Sequence, residues 1–225
     1  MYRLLSVERD VKTSKSVEKG YLTGILYLEP SVRLCPACSE GCRKACLFTA
    51  GHGAVTGVKK CRASRTELFH NDLAKFKQYL EEDIARLEKQ AKRRGLKPCV
   101  RLNGTSDINV EVVFKDILRK FFHIQFYDYT KVWNKISRTP NYYLCYSRSE
   151  TTPEEEIDKR IEVGYNVAVV FDKVPKFWRG YRVINGDEHD LRFLDPSRVI
   201  VGLQAKSRAK SDTTGFVVRL KKENL

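Results

Sequence analysis

A chain of 225 residues, 42% of them hydrophobic, is long enough to bury a core of its own, and no low-complexity tract or Gly/Ser linker divides it, so a single domain is expected. The 42 Lys and Arg against 28 Asp and Glu leave a formal charge of +14, a field that calls for a polyanionic partner, nucleic acid (DNA or RNA) first among them. No apolar run approaches the roughly 18 residues that span a bilayer, and the opening MYRLLSVERDVKTSK lacks the apolar centre of a secretory signal, so the expectation is a cytoplasmic protein with no membrane partner.

Along the chain, GYLTGILYL (20–28) is rich in Tyr, Ile, Leu and Thr and stops before Glu29-Pro30, which predicts a buried strand. The cysteine-rich stretch LCPACSEGCRKACLFTAGHG follows at once. Over 65–94, Phe69, Leu73, Phe76, Leu80, Ile84, Leu87 and Ala91 recur at intervals of three and four, the stripe of one long amphipathic helix closed by Gly95. After Pro98, CVRLNGTSDI predicts a short strand opening into a polar loop, with a helix around 112–122 behind it. HIQFYDYTK (123–131) and NYYLCYS (141–147) predict two further strands. In TTPEEEIDKRIEVGY, Thr152 caps a helix, Pro153 takes its first position and acids fill its first turn. NVAVVF (166–171) and RVIVGLQAK (198–206) predict buried strands, and GFVVRL an edge strand near the end. Between them, DKVPKFWRGYRVINGDEHDLRFLDP is irregular, with turn signals at Asn185-Gly186 and Asp195-Pro196. Six strands with helices or loops between them predict an α/β fold with a mainly parallel sheet, either open and doubly wound or an incomplete barrel.

The residues capable of chemistry sit just after strands. The cysteines follow the first, Asn103, Thr105, Ser106 and Asp107 the second; Asp128 and Lys131 lie at the third, Ser147 after the fourth, and Lys206, Arg208 and Lys210 after the last. In parallel α/β folds these carboxyl ends share one face, so the candidates are expected to converge. Cys35, Cys38, Cys42 and Cys46 form C-x2-C-x3-C-x3-C and are flanked by Pro, Ser, Glu, Gly, Arg and Lys rather than by core residues. Thiolates so spaced can converge on one zinc ion or one iron-sulfur cluster; four would close a structural zinc site, three would leave a cluster iron open, and spacing does not choose. Cys99 and Cys145 have strand-like surroundings and are expected in the core, Cys61 is isolated, and His52 is a spare ligand or, more simply, a turn residue.

Other residues fit a nucleic-acid partner. Asp107 and Asp128, at neighbouring strand ends, are a pair able to serve as nucleophile and acid/base on a nucleobase. Arg93 and Arg94 in the basic run 86–101, and Lys206, Arg208 and Lys210 in the run 206–222, are the candidates for phosphate contacts. Tyr127, Tyr129, Tyr142, Tyr143, Phe177 and Trp178 offer stacking faces, although strands recruit aromatics to cores as well. Neither GTSD nor GHGAVTGVKK has the order of a Walker loop or a dinucleotide glycine motif, which argues against nucleotide hydrolysis.

GYLTGILYLEP, then CPACSEGCRKACLFTAGHG, then RLNGTSDI resembles the phage and plasmid family called gene product 88, over most of the chain. More distantly, the order SEGCRKAC, VRLNGTSDI, IQFYDYTK, NYYLCYS, RVIVGLQA is similar to phage-encoded radical SAM-like proteins. In those, Ser-x-Gly-Cys-x-x-Cys, a strand ending in Ser-Asp, one ending in Thr-Lys and a late Val-Gly strand follow in turn. That resemblance implies a partial (β/α)6 barrel, a 4Fe-4S cluster on Cys38, Cys42 and Cys46, and S-adenosylmethionine on the open iron. Ser106 and Asp107 would face the cofactor or substrate, and Asn103 and Lys131 join Ser106 as candidates for holding it. Here the last Cys interval is three residues rather than two, and Cys35 is an extra thiol able to close the cluster. The function so implied is an iron-sulfur enzyme that modifies nucleic acid in a host cytoplasm. The alternatives are a zinc-stabilised nucleobase transglycosylase using the paired Asp and a non-catalytic DNA- or RNA-binding protein with a structural metal.

Overall fold

The structure is a computed structural model that describes residues 3–8, 11–46, 48 and 55–220; His52 and the Lys221 and Lys222 end of the second basic run lie outside the described residues. Ten strands form one sheet. β1 (Leu5–Val7) runs antiparallel to β2 (Tyr21–Leu26). From β2 the order continues through β3 (Lys97–Arg101), β4 (Gln125–Thr130), β5 (Tyr142–Ser147), β6 (Val167–Phe171), β9 (Ile200–Gln204) and β8 (Tyr181–Asn185), all pairings parallel, to the antiparallel edge β7 (Phe177–Trp178). The six strands expected from hydrophobic runs are β2, β3, β4, β5, β6 and β9, and the expected late strand is β10 (Val217–Val218), which pairs with β6.

From β2 to β6 each strand lies beside its predecessor; the chain then crosses to the far edge at β7 and steps back through β8 to β9, which lies against β6. Right-handed crossovers then place the connecting helices on a single face. α4 (Leu73–Arg93) and α6 (Lys115–Lys120) cover Leu22, Leu26, Val100, Phe126 and Leu144, and α7 (Glu154–Glu162) covers Tyr146, Val167, Val169 and Phe171. Each fully buried Leu, Ile or Phe of this layer contributes about 1.5–3 kcal/mol. Among the described residues no ladder joins β1 to β7, so the sheet is open: the fold is mixed α/β with a ten-strand sheet, and the expected barrel is not closed.

The opposite face is covered in part by the chain between β8 and β9. Residues 186–195 return across it, placing Leu191 against Cys99 and Tyr127, and Phe193 edge-on to Tyr21 (5.2 Å) and Tyr127 (5.4 Å). Asp190 accepts from Arg101 (2.7 Å) and from the Tyr129 hydroxyl (3.2 Å). The segment expected to be irregular therefore holds the β7-β8 hairpin and this strap.

Three helix expectations are corrected. α7 begins at Glu154 with Pro153 at its cap position, and Thr152 does not cap it, its hydroxyl accepting instead from the Ser149 N–H (2.9 Å). The stripe over 65–94 is interrupted: α3 (Thr56–Asn71) stops and α4 starts anew at Asp72, whose carboxylate accepts from the Lys75 N–H (2.9 Å). A capping carboxylate competes with continued helix, and apolar periodicity is blind to it. The helix around 112–122 is two short pieces, α5 (Val110–Val113) and α6, broken at Phe114.

One feature of the sheet places the site. β6 pairs with β5 at Val167 and Ala168, then with β10 at Val170 and Phe171. The sheet thus forks at its carboxyl end, and the C-terminal strand fills the gap.

Candidate metal centre

The cysteine loop leaves β2 and crosses the rim where the strands end. Ser39 caps α2 (Glu40–Lys44): its hydroxyl accepts from the Cys42 N–H (3.2 Å) and donates to Glu150 Oε2 (2.7 Å), while the Gly41 N–H donates to Glu150 Oε1 (2.6 Å). An acid in the first turn and Arg43 and Lys44 in the last suit the helix dipole. Cys42 and Ala45 pack on Ala205, Ala209, Phe216 and Val217, so the helix stands on the strand that fills the fork. Gly41 permits that approach, because a Cβ there would meet Thr214, Phe216 and Glu150. The loop is also tied to the tip of β3: the Asp107 N–H donates to Leu34 O (2.7 Å), Thr105 Oγ1 to Leu28 O (2.5 Å) and the Cys35 thiol to Thr105 O (3.7 Å).

Cys35, Cys38, Cys42 and Cys46, all half-buried, share one electrostatic neighbourhood. Burial, then Asp107, Cys42 and Cys46, push the Cys35 thiol up to about 11. Burial, then the charge and hydrogen bond of Cys42, push Cys38 up to about 12, and burial likewise raises Cys46. Lys131 acts against these shifts at Cys38 and Cys46, as does Arg62 at Cys46. Ionising Cys35, Cys38 and Cys46 is opposed by desolvation and by the neighbouring thiols; a cation among them reverses both. Among the described residues, no group of three or more His, Cys, Asp or Glu side chains is drawn into coordination geometry. The thiols are gathered but not clenched.

The other rim residues have defined occupations. Asn103 Oδ1 accepts from Ser106 Oγ (2.8 Å) and the Ile108 N–H (3.0 Å), and its Nδ2 donates to Ile108 O (3.2 Å). Asp107 accepts from Thr130 Oγ1 (2.9 Å), the Lys131 N–H (2.7 Å) and Lys135 Nζ (3.0 Å). Asp128 alternates with Tyr127 and Tyr129 and so lies on the helix side. Fully buried, it accepts from the Asn103 N–H (2.6 Å) and the Tyr142 hydroxyl (3.0 Å), and burial pushes its carboxyl up to about 7. Both carboxylates are thus engaged in building the loop. Lys131 Nζ donates to Ser147 Oγ (3.0 Å) and lies 5.8 Å from the centre of the Phe216 ring, beside the thiols.

The structure separates the basic candidates. Lys206, Arg208 and Lys210 follow β9 on the thiol rim, with Lys206 paired to Asp187 (2.6 Å). Arg93 and Arg94 close α4 just before β3, on the opposite rim, with Arg94 paired to Glu8 (2.6 Å). Cys99 and Cys145 are buried as expected, and Cys61 is exposed on α3. Of the proposed stacking faces, Tyr127 and Tyr142 are core residues and Phe177 is exposed.

Two residues of the site carry no sequence signal. Glu150, three residues past the end of β5, clamps α2 through Ser39 and Gly41. Arg62, which looks like any surface arginine of a helix, is 7% exposed, lies over the Tyr27 ring (4.7 Å), and among the described residues its Nε and Nη1 lack a hydrogen-bond partner. Burial draws its affinity for the proton below the ordinary arginine range.

A family model described as Gene product 88 matches residues 3–220. No curated protein matches the chain, and no solved structure does.

Proposed function

The chain belongs to the gene product 88 family, and from that premise we propose that it is a cysteine-ligated iron-sulfur protein, radical SAM-like, that acts on nucleic acid at the rim of an incomplete barrel. Cys38, Cys42 and Cys46 would hold the centre, with Cys35 as the neighbouring fourth thiol. One observation carries this: the four thiols of one loop share a half-buried neighbourhood with the cations Lys131 and Arg62. When bound, such a centre supplies electrons singly, to S-adenosylmethionine in the radical SAM-like form. The chain's own part is positional. Glu150 and Ser39 fix α2 and with it Cys42; the Asn103–Asp107 loop sets Cys35 through Thr105; Lys131 and Arg62 offset negative charge gathered on the sulfurs.

A zinc site closed by all four thiols is the second reading, favoured by the place of Cys35 among the other three. It would make the protein a binder or a transglycosylase with a structural metal; the hydrogen bonds that occupy Asp107 and Asp128 favour the binder. The test is protein purified without oxygen. A brown colour bleached by dithionite, with a spectrum altered by S-adenosylmethionine, supports the iron-sulfur reading; colourless protein carrying zinc overturns it in favour of the second.

A further inference from the structure

Beside the thiol helix, two clefts meet over Asp212 and Thr213. The larger, about 480 Å³, is lined by Arg148, Arg219 and Trp178; the smaller, about 280 Å³, by Arg208 and by Lys44 and Ala45, the latter adjacent to Cys46. Two of the cations are oriented by main-chain carbonyls. Arg148 Nη1 donates to the main-chain carbonyls of Gly215 (2.7 Å) and Phe216 (3.1 Å), and Arg219 Nη2 to those of Lys210 (2.8 Å) and Asp212 (3.1 Å). A carbonyl fixes a guanidinium and leaves its charge in place. Of the carboxylates of the larger cleft, Asp212 accepts from Thr214 Oγ1 (2.6 Å) and the Val217 N–H (3.0 Å), which hold it ionised, and Glu154 pairs with Arg179; both, with Glu150, act on Arg148 through space without a hydrogen bond to it among the described residues. Trp178 packs edge-on against Phe171 (5.7 Å), carries the Arg179 guanidinium over its ring (5.8 Å from the centre) and also lines the cleft.

We infer that this double cleft is a track for single-stranded nucleic acid, with phosphates on Arg148, Arg219 and Arg208 and a base against the Trp178 ring. Preoriented guanidinium forks suit phosphate oxygens. Stacking on an aromatic face needs a base that is out of its duplex, which selects a single strand. The track leads past Ala45 to the thiols. It rests on the nucleic-acid half of the function proposed above and not on the identity of the metal.

The test is fluorescence anisotropy with labelled oligo-dT and oligo-U of about 15 nucleotides, titrated from about 50 to about 200 mM salt. Arg208 and Arg219 are exposed, so Arg208→Gln and Arg219→Gln keep the fold. Each should weaken binding several-fold and reduce the slope of log affinity against log salt by about 0.7. Trp178→Ala should weaken it roughly tenfold or more. Equal affinity for both oligonucleotides is expected, since the contacts are to phosphates and ring faces. The double variant Arg93→Gln/Arg94→Gln, on the other rim, should bind as wild type. If that double variant loses affinity while the three cleft variants keep it, the track is overturned and a nucleic-acid partner stands; if wild type binds neither oligonucleotide, both fall. Metal content read on the same samples reports separately on the centre.

Discussion

Replacing Gly41 with alanine adds one methyl group where α2 meets the C-terminal strand. The new Cβ would lie 2.2 Å from Thr214 Oγ1, 2.6 Å from Phe216 Cβ and 2.9 Å from Glu150 Oε2. Thr214 can swing its hydroxyl away only by releasing Asp212 (2.6 Å), and Phe216 Cβ is fixed to the main chain leading into β10. The helix must therefore lift, stretching the Glu150 bonds to Gly41 and Ser39, charge-assisted contacts of about 1.5–3 kcal/mol each. Overpacking alone costs about 1–3 kcal/mol; with part of one clamp lost, the total is about 2–4 kcal/mol. For a chain of this size that lowers Tm by on the order of 5–15 °C. Thermal melts and mass-resolved alkylation read the two consequences, a lower Tm and faster labelling of Cys42. Gly57→Ala on α3, with nothing within 4 Å of its Cβ, is the control and should be neutral or stabilising by about 0.5–1 kcal/mol. A Gly41→Ala protein with wild-type Tm and wild-type Cys42 labelling refutes the claim that α2 is seated on the C-terminal strand.

Asp128, raised by burial from 3.8 to about 7, binds its proton more tightly folded than unfolded, so its contribution is fully present below about pH 4 and is lost as pH rises through 7. Asp128→Asn should flatten the fall of stability over that window by at most about 4 kcal/mol; parallel Tm-against-pH curves for the two proteins would contradict the assignment. Asp72→Ala removes the cap of α4 and should cost about 1 kcal/mol, an unchanged Tm meaning that the helix break is set elsewhere. Asp83, buried on α4, accepts from the Leu4 (2.5 Å) and Leu5 (2.9 Å) N–H groups and holds β1 to the sheet. Asp83→Ala should speed hydrogen exchange at Leu4 and Leu5 by about tenfold or more, the effect of losing hydrogen bonds to a charged group, and protection equal to wild type would refute that anchor.

Strands β2 to β6 and β9 were legible because a sheet buried on both faces leaves apolar runs, and a parallel sheet brings its polar tips to one rim. That reasoning found Asn103, Asp107, Lys131 and the four cysteines together. It read Asp107 and Asp128 as a catalytic pair, whereas their hydrogen bonds go to the loop and to Tyr142, a distinction carried by alternation along β4 and not by composition. β1 is only three residues long and α1 (Val11–Glu18) is short and polar, so neither has the periodicity to betray it. The hairpin β7-β8 was hidden because its exposed edge needs few apolar residues: Phe177 is 65% exposed. Glu150 and Arg62 act across 109 and 16 positions of sequence, on Gly41 and Cys46, and only the fold brings them there. The two basic runs looked alike in sequence, and the parallel sheet sends them to opposite rims.

The claim on which the rest depends is that four sulfurs of one loop serve a single inorganic centre. Metal and acid-labile sulfide measured per chain, on protein purified without oxygen, test it most directly when wild type is set beside Cys42→Ala and Cys61→Ala. The account predicts one centre per chain in wild type, its loss in Cys42→Ala and its retention in Cys61→Ala, whose thiol is exposed on α3. Folded wild-type protein without metal, or a centre that survives the loss of Cys42, contradicts it.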